Sequence, residues 1–378
     1  MKKIRVLHIL SDTNVGGAGK LLLNLSKCID KSKFEFVFAF PRGSNLIILF
    51  KNIGKIYVFD GYGDKSLDIK AIGSIRQIIK KSNPDIVHTH SSLSGRIAAV
   101  MNGVKKDRIV YTKHCVFDIP ESKKKPLRRK IYNILDNVLS GHIIAVAESA
   151  KKELIDMGVD PQKITVIING SIPLRKASNN EIISTKERLG IAKDDFVVGI
   201  SARLEEYKGH KTFIRAAWFA KKEKENIKFI IMGDGSKREE LKNHVQSLEL
   251  QDRVVFTGFV DNVSEYMNIF DLNVNCSIGT ETSSLSISEG LSLGIPAIAS
   301  NFGGNPNMVL NGKTGFIFER NNAEQLYKII KMLKISPQKL LNMGKAAIND
   351  FESRFSATKM ASQYEKFYYN ILYNIEIK

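Results

Sequence analysis

An α/β protein of two doubly wound parallel-sheet domains is what this sequence predicts, and three observations predict it. Short apolar runs rich in Val, Ile and Phe alternate with longer amphipathic stretches, the pattern of parallel strands linked by helices. The alternation breaks once, at the polar stretch SIPLRKASNN (171–180), and then restarts. A chain of 378 residues suits two domains better than one. In chain order, IRVLHIL, FEFVFAF, KIYVFD, DIVHTH, RIVYTKH, HIIAVAES and KITVIING read as strands of the first half, with helices at 20–30, 69–81 and 93–102 between them. Beyond the linker, DFVVGISAR, KFIIMGDG, RVVFTGFV, FDLNVNCS, IPAIAS and GFIF read as strands, with helices at 211–222, 236–248 and 284–293. The tail 356–377 reads as a helix, because Tyr364, Phe367, Tyr368 and Ile371 fall at i, i+3, i+4 and i+7. The domains are therefore expected at 1–175 and 176–355, with a C-terminal helix over 356–378. Two such domains would face each other across a cleft at the C-terminal strand ends, where open α/β sheets bind ligands.

Composition removes several classes. With 43% apolar residues the chain can build real cores and is not disordered. Cys28, Cys115 and Cys276 are odd in number and far apart, which reads as free thiols in a reducing cytosol rather than a disulfide scaffold. The first apolar run contains His8 and ends at Ser11-Asp12 without a small-residue cleavage site, so it reads as a strand and not a signal peptide. The longest uncharged stretch, 290–312, holds Pro296 and Pro306 and cannot be a membrane helix. A soluble or peripheral protein is expected. Its formal net charge of +18 is uneven: residues 1–175 carry 30 basic and 15 acidic side chains, the remainder 27 and 24. The first half is thus expected to meet something anionic: nucleic acid, a lipid surface or a phosphorylated small molecule.

Seven segments carry candidate chemistry. In GTETSSLSISEGLSLGIPAIAS, Glu281 and Glu289 flank the start of a helix opening near Ser283. The amides of Ser283, Ser284 and Leu285 would offer an anion site there, and the two carboxylates could accept bonds from hydroxyls of the same ligand. The competing reading is a Ser cap and solvated Glu side chains. In ISARLEEYKGHKTFIRA, Arg203 and Lys208 follow a strand, five apart, and suit a pyrophosphate; surface cations are the plain alternative. Gly233 and Asp234 of the GDG turn allow close backbone approach, as any turn would, and Phe259 and Val260 could present backbone to a base. Gly16 and Gly17 lie between the first strand and its helix, in a loop that matches neither a Walker motif nor G-x-G-x-x-G but whose amides can face a phosphate. His88 and His90 end a strand with no Cys, His or carboxylate set beside them, so metal binding is not expected. His114 ends a neighbouring strand, pointing towards the expected cleft, where it is either a ligand contact or a satisfied polar group.

Read together, these segments give a chain that resembles the retaining glycosyltransferases of family 4, which have the two-Rossmann GT-B fold. The likeness is most specific from 200 to 318, through Arg203 and Lys208, GDG, TGFV, the E-x7-E spacing of Glu281 and Glu289, GLSLGIPAIAS, NFGGNP and NGKTGFIF. It is looser in the first half, through the Gly16-Gly17 loop, DIVHTHS, VYTKH, IIAVAES and VIINGSI. The resemblance implies that Arg203 and Lys208 hold the donor diphosphate and assist its departure, and that Glu289 binds the ribose hydroxyls. It implies that Glu281 contacts the donor sugar, with the amides of 283–285 on its hydroxyls or phosphate. Gly16 and Gly17 would lie near the transferred sugar or an acceptor phosphate, and His114 would bond a sugar hydroxyl. Neither metal nor other cofactor is implied, and the C-terminal helix would cross back onto the first domain. The chain departs from the family's usual pattern at Thr282, Ser283 and Ser284, at Asn307 after GGNP, and at Ala147.

Lys123, Lys124, Lys125, Arg128, Arg129 and Lys130 precede Ile131, Tyr132, Ile134, Leu135 and Val138 at helical spacing, a basic amphipathic helix suited to anionic lipid, or else a solvated lysine face. The expected function is retaining, metal-independent transfer of a hexose or N-acetylhexosamine. Its donor would be a nucleotide sugar, uridine favoured as the base, and its acceptor a lipid-linked or cell-surface glycan precursor in polysaccharide and cell-envelope synthesis. The place would be the cytoplasmic, inner face of the cell membrane. A nucleotide-sugar 2-epimerase or a soluble small-molecule transferase of the same fold is the alternative. A nucleic-acid partner is not expected, because the interleaved aromatics of such proteins are absent.

Overall fold

The computed structural model describes residues 2–61, 65–114 and 134–373. The cationic cluster Lys123, Lys124, Lys125, Arg128, Arg129 and Lys130 lies outside the described residues. The chain divides into two compact units, one of Met1–Ser171 with Ala357–Lys378, the other of Ile172–Ser356. The division falls four residues before the boundary expected at 175, because the linker belongs to the second unit. Leu174 packs in that unit's core and donates its amide to Ser292 Oγ, and Arg175 pairs with Glu181.

The first unit holds a seven-stranded sheet: β1 (Ile4–Leu10), β2 (Phe34–Pro41), β3 (Lys55–Phe59), β4 (Ile86–His90), β5 (Ile109–Lys113), β6 (His142–Ala145) and β7 (Ile164–Val166). Their order is β3-β2-β1-β4-β5-β6-β7, all parallel. The second unit repeats the scheme with β8 (Phe196–Ser201), β9 (Ile227–Met232), β10 (Val254–Gly258), β11 (Leu272–Asn275), β12 (Ala297–Ser300) and β13 (Gly315–Phe318), in order β10-β9-β8-β11-β12-β13. Every strand read from the sequence is present. Both sheets reverse direction of winding next to their first strand, between β1 and β4 and between β8 and β11, so ligand-binding loops are expected at the C-terminal ends of those strands.

Burial explains why these residues form strands. β4 and β11 are buried along their whole length, and so are most of β1 and β8, as in sheets covered on both faces. The helix Ala357–Tyr373 covers one face of the first sheet. Its Met360, Tyr364, Phe367, Tyr368 and Ile371 join Val6, Leu10, Phe36, Phe38, Val110 and Ile144 in one core. The chain leaves and re-enters this unit at neighbouring points, where the Ala357 amide donates to the Ser171 carbonyl at 2.8 Å. The second core lies chiefly between its sheet and the helices His210–Lys222 and Ala323–Lys334. Among the described residues no helix is long and apolar enough to cross a membrane.

Candidate active site

At the C-terminal edge of the second sheet, four loops interlock. The loop after β8 bonds to the loop after β9 through the Leu204 amide and the Asp234 carbonyl. It bonds to the loop after β11 through the Ile278 amide and the Tyr207 carbonyl, at 2.8 Å. The loop after β12 reaches the same place, where the Gly304 amide donates to the Glu281 carbonyl. Glycines permit this closeness. A Cβ on Gly233 would stand 2.1 Å from the Ala202 oxygen, one on Gly209 2.0 Å from the Cys276 oxygen, and one on Gly304 1.5 Å from the Thr282 oxygen.

These loops bring Lys208 and Glu281 together. Lys208 Nζ lies 2.9 Å from Glu281 Oε2, with both side chains largely buried. The same oxygen accepts from Asn275 Nδ2 at 3.0 Å and Ser277 Oγ at 2.8 Å. Burial alone would raise the Glu281 pKa. The Lys208 charge and the donated bonds outweigh it and hold the carboxyl below its ordinary value. Asn275 also donates to Ser284 Oγ at 3.1 Å, and its Oδ1 accepts from Asn305 Nδ2. Asn305 Nδ2 donates in turn to Ser300 Oγ, which donates to the Ser277 carbonyl. Sequence reasoning misses Asn275, Ser277 and Asn305, because a buried polar residue inside an apolar run reads there only as part of a strand.

Arg203 stands on the same loop as Lys208, exposed, with its guanidinium bonded to the Tyr207 hydroxyl and set over that ring. Glu289 lies on the helix Leu285–Leu293, half-buried. This helix opens at Leu285, one residue after the start of the expected 284–293 range and two after Ser283. Ser284 is its cap, in extended conformation, and Ser284 Oγ accepts from the Ile287 amide. The expectation that Ser283, Ser284 and Leu285 all lend first-turn amides is therefore corrected: Leu285 alone belongs to the first turn, while Ser283 Oγ points to Met308. Asp234 spends its carboxylate locally, on the Gly235 amide and on Arg238 at 2.8 Å. Phe259 is 73% exposed at the end of β10, and Val260 packs against the core beneath it.

In the first unit, Gly16 and Gly17 open the helix Gly17–Cys28, which no side chain caps and whose first turn has no acidic residue. Neither needs to be glycine for packing, since a Cβ on either meets nothing within 4 Å, whereas one on Gly19 would strike Leu46 at 2.6 Å. His114 follows β5, half-buried. His90 Nδ1 lies 3.0 Å from His114 Nε2, and His8 Nδ1 3.0 Å from His90 Nε2. His88 bonds Tyr368 through Nδ1 at 2.7 Å and Thr112 through Nε2 at 2.6 Å. The expectation that no further ligand-type residue accompanies His88 and His90 is corrected. His8 joins them from the neighbouring strand, in register with His88, and one nitrogen of each ring lies within 4.8 Å of the others. These are the described residues that could hold a metal ion, although the bonds just given already engage most of their nitrogens. Burial lowers the pKa of His8, His88 and His90 well below 6.5, and that of His114 to about 4, so all four rings are neutral at pH 7.

Comparison with known proteins bears on both halves. Residues 15–171 match the model for Glycosyltransferase Family 4, and residues 181–350 the model for Glycosyl transferases group 1. The chain is 31% identical over 319 residues to a UDP-Gal:alpha-D-GlcNAc-diphosphoundecaprenol alpha-1,3-galactosyltransferase of Escherichia coli, covering 81% of each chain. It is 26% identical to an N-acetyl-alpha-D-glucosaminyl L-malate synthase of Bacillus anthracis, over 81% of this chain and 80% of that one. The crystal structure of Anabaena HepE in complex with UDP-glucose shares the fold, with a TM-score of 0.84 at 22% identity over 97% of this chain and 100% of that one.

Proposed function

The chain belongs to glycosyltransferase family 4, and on that premise we propose that it moves a hexose or N-acetylhexosamine from a UDP-sugar to a lipid-linked or cell-surface glycan precursor, with retention of configuration. The observation that carries this reading is the pairing of Lys208 with Glu281 on interlocked loops at the C-terminal edge of one sheet, with Arg203 on the same loop as Lys208. Lys208 gives one of its three N–H bonds to Glu281 and has two left for phosphate oxygens. The exposed Arg203 guanidinium adds a planar fork of donors matched to phosphate. Two cations aimed at the departing nucleotide offset the charge that develops as the anomeric bond breaks, a task otherwise given to a divalent ion, and the proposal therefore includes no metal. Glu289 takes the ribose hydroxyls, Phe259 and Val260 lie along the base, and Gly233 and Asp234 line the nucleotide. Glu281 and the first-turn amide of Leu285 face the sugar and its phosphate. In the first unit the open Gly16-Gly17 turn and His114 serve the transferred sugar or the acceptor.

Uridine is supported by the named donor of the Escherichia coli relative and by the ligand of HepE, and a lipid diphosphate acceptor by that relative's name. The basic cluster 123–130 is proposed to hold the enzyme on anionic lipid at the inner membrane face. The test is a transfer assay with UDP-, GDP- and ADP-sugars, a lipid-linked saccharide acceptor and anionic vesicles. UDP-sugars are expected to rank first, turnover to persist in EDTA, the product to keep the donor's anomeric configuration and the protein to sediment with the vesicles. Turnover of the donor without any acceptor would point instead to the epimerase alternative.

A further inference from the structure

We propose that the outer face of the short helix Leu46–Phe50, with Val15 in the loop beside it, docks on an anionic lipid bilayer. This surface is separate from the basic cluster 123–130. Its sequence, LIILF, is apolar throughout, whereas a helix lying on a core needs only one apolar side. Leu46 and Phe50, four apart, take that side and are fully buried in the first unit's core, with Ile47 half-buried against it. Ile48 and Leu49 are 77% and 43% exposed. Val15, in the loop after β1, is 41% exposed. That loop is stitched to the start of the helix: the Asn45 amide donates to the Thr13 carbonyl at 2.9 Å, and Ser44 Oγ to the Asp12 carbonyl at 2.9 Å. Loop and helix are thus fixed side by side, each with apolar side chains turned to solvent.

Charge says what covers them. Neither 13–29 nor 36–59 contains an Asp or Glu, while Lys20, Lys27, Lys51 and Lys55 are all exposed there. Among the described residues none of these four lysines is in an ion pair. The bordering carboxylates are already engaged, Asp30 with Lys33, Glu35 with Arg5 and Asp60 with Arg42. Exposed branched apolar side chains bordered by unpaired lysines suit a bilayer surface, where the apolar groups enter the acyl boundary and the ammonium groups meet lipid phosphates. A second copy is disfavoured, because a two-fold contact would press this face against itself, lysines against lysines. Docking would bring the Gly16-Gly17 turn, next to Val15, to the level of the headgroups, where the diphosphate of a lipid-linked acceptor lies. Only this last step rests on the acceptor proposed above.

The test is partition of the full-length protein onto vesicles of phosphatidylglycerol and phosphatidylcholine, with melting temperature and UDP binding in solution measured beside it. Ile48→Ser with Leu49→Ser is expected to weaken partition by about tenfold or more, and so is Lys20→Gln with Lys51→Gln. Melting and UDP binding are expected to stay unchanged in both. Fluorescence of Ile48→Trp is expected to be quenched by brominated lipid beyond the background from Trp218, the one native tryptophan. Unchanged partition in both double variants overturns the proposal, even where neutralising Lys123–Lys130 abolishes binding, and so does an unquenched Ile48→Trp. A wild-type protein that self-associates, with Ile48→Ser/Leu49→Ser monomeric and still on the vesicles, gives the face to a second copy and also overturns it. UDP binding by the wild type decides the donor reading separately, since that ligand has no part in the lipid contact.

Discussion

Lys208 and Arg203 are both cations of the proposed diphosphate site, but they are not equivalent probes of it. Lys208 is paired with a buried carboxylate, and removing either partner strands a charge, a change that costs about 3–5 kcal/mol in other proteins. A loss of activity in Lys208→Ala or Glu281→Ala would therefore mix chemistry with stability. Arg203 is exposed, and among the described residues its side chain bonds only Tyr207, so its removal tests chemistry with little effect on stability. The buried imidazoles make a prediction about pH. His8, His88 and His90 are held well below 6.5 by burial, and His114 and His210 at about 4. The unfolded chain takes up protons at these rings near pH 6.5 and the folded chain does not. Their contribution to stability is thus complete above that pH and is lost as pH falls towards 4. Glu281, depressed in the folded state, adds a further loss only at lower pH, as its own folded pKa is crossed. Thermal melts are expected to be flat from pH 7 to 8 and to fall steeply below 6.5; a melting temperature constant down to pH 5 would contradict the neutral buried cluster.

Among the elements, the loops divide into those whose glycines the fold demands and those whose glycines it does not. Gly303 has φ +57° and a Cβ there would lie 2.1 Å from the Glu281 oxygen, and Gly304 is tighter still. Gly304→Ala is expected to unseat the Glu281 loop and lower the melting temperature by several degrees. Gly17→Ala, in open space at a helix start, is expected to leave melting unchanged or slightly raised while turnover falls. Equal melting losses in both variants would erase this distinction. The contrast also shows what is legible in the sequence. All thirteen strands are readable because strands covered on both faces are continuous apolar runs, and Arg203, Lys208 and Glu281 are readable from spacing around strand ends. Helices Ala323–Lys334 and Pro337–Asp350 are not, and neither is the network of Asn275, Ser277 and Asn305. Sequence spacing cannot show that Asn275, six residues before Glu281, shares an oxygen with a lysine 67 residues before it. His8 is hidden for the same reason: its partners His88 and His90 come from a strand about eighty residues away, brought beside it only by the crossover.

At the scale of the whole molecule, two sheets of the same strand order divide the work unequally. The first unit carries most of the +18 charge and, in the proposal, meets the acceptor and the membrane. The second is nearly neutral overall yet concentrates the cations assigned to the donor in one loop after β8. The C-terminal helix belongs to the first unit's core through Tyr364, Phe367 and Tyr368, so that unit is completed only when the second has been traversed. In the proposed reaction, Arg203 and Lys208 offset the charge of a departing nucleotide. Turnover with a UDP-sugar, measured beside the melting temperature in Arg203→Ala, tests it most directly. Unchanged melting is expected, with turnover lower by about a hundredfold or more, the scale of losing a charge-stabilising group. Near-normal turnover in that variant would contradict it.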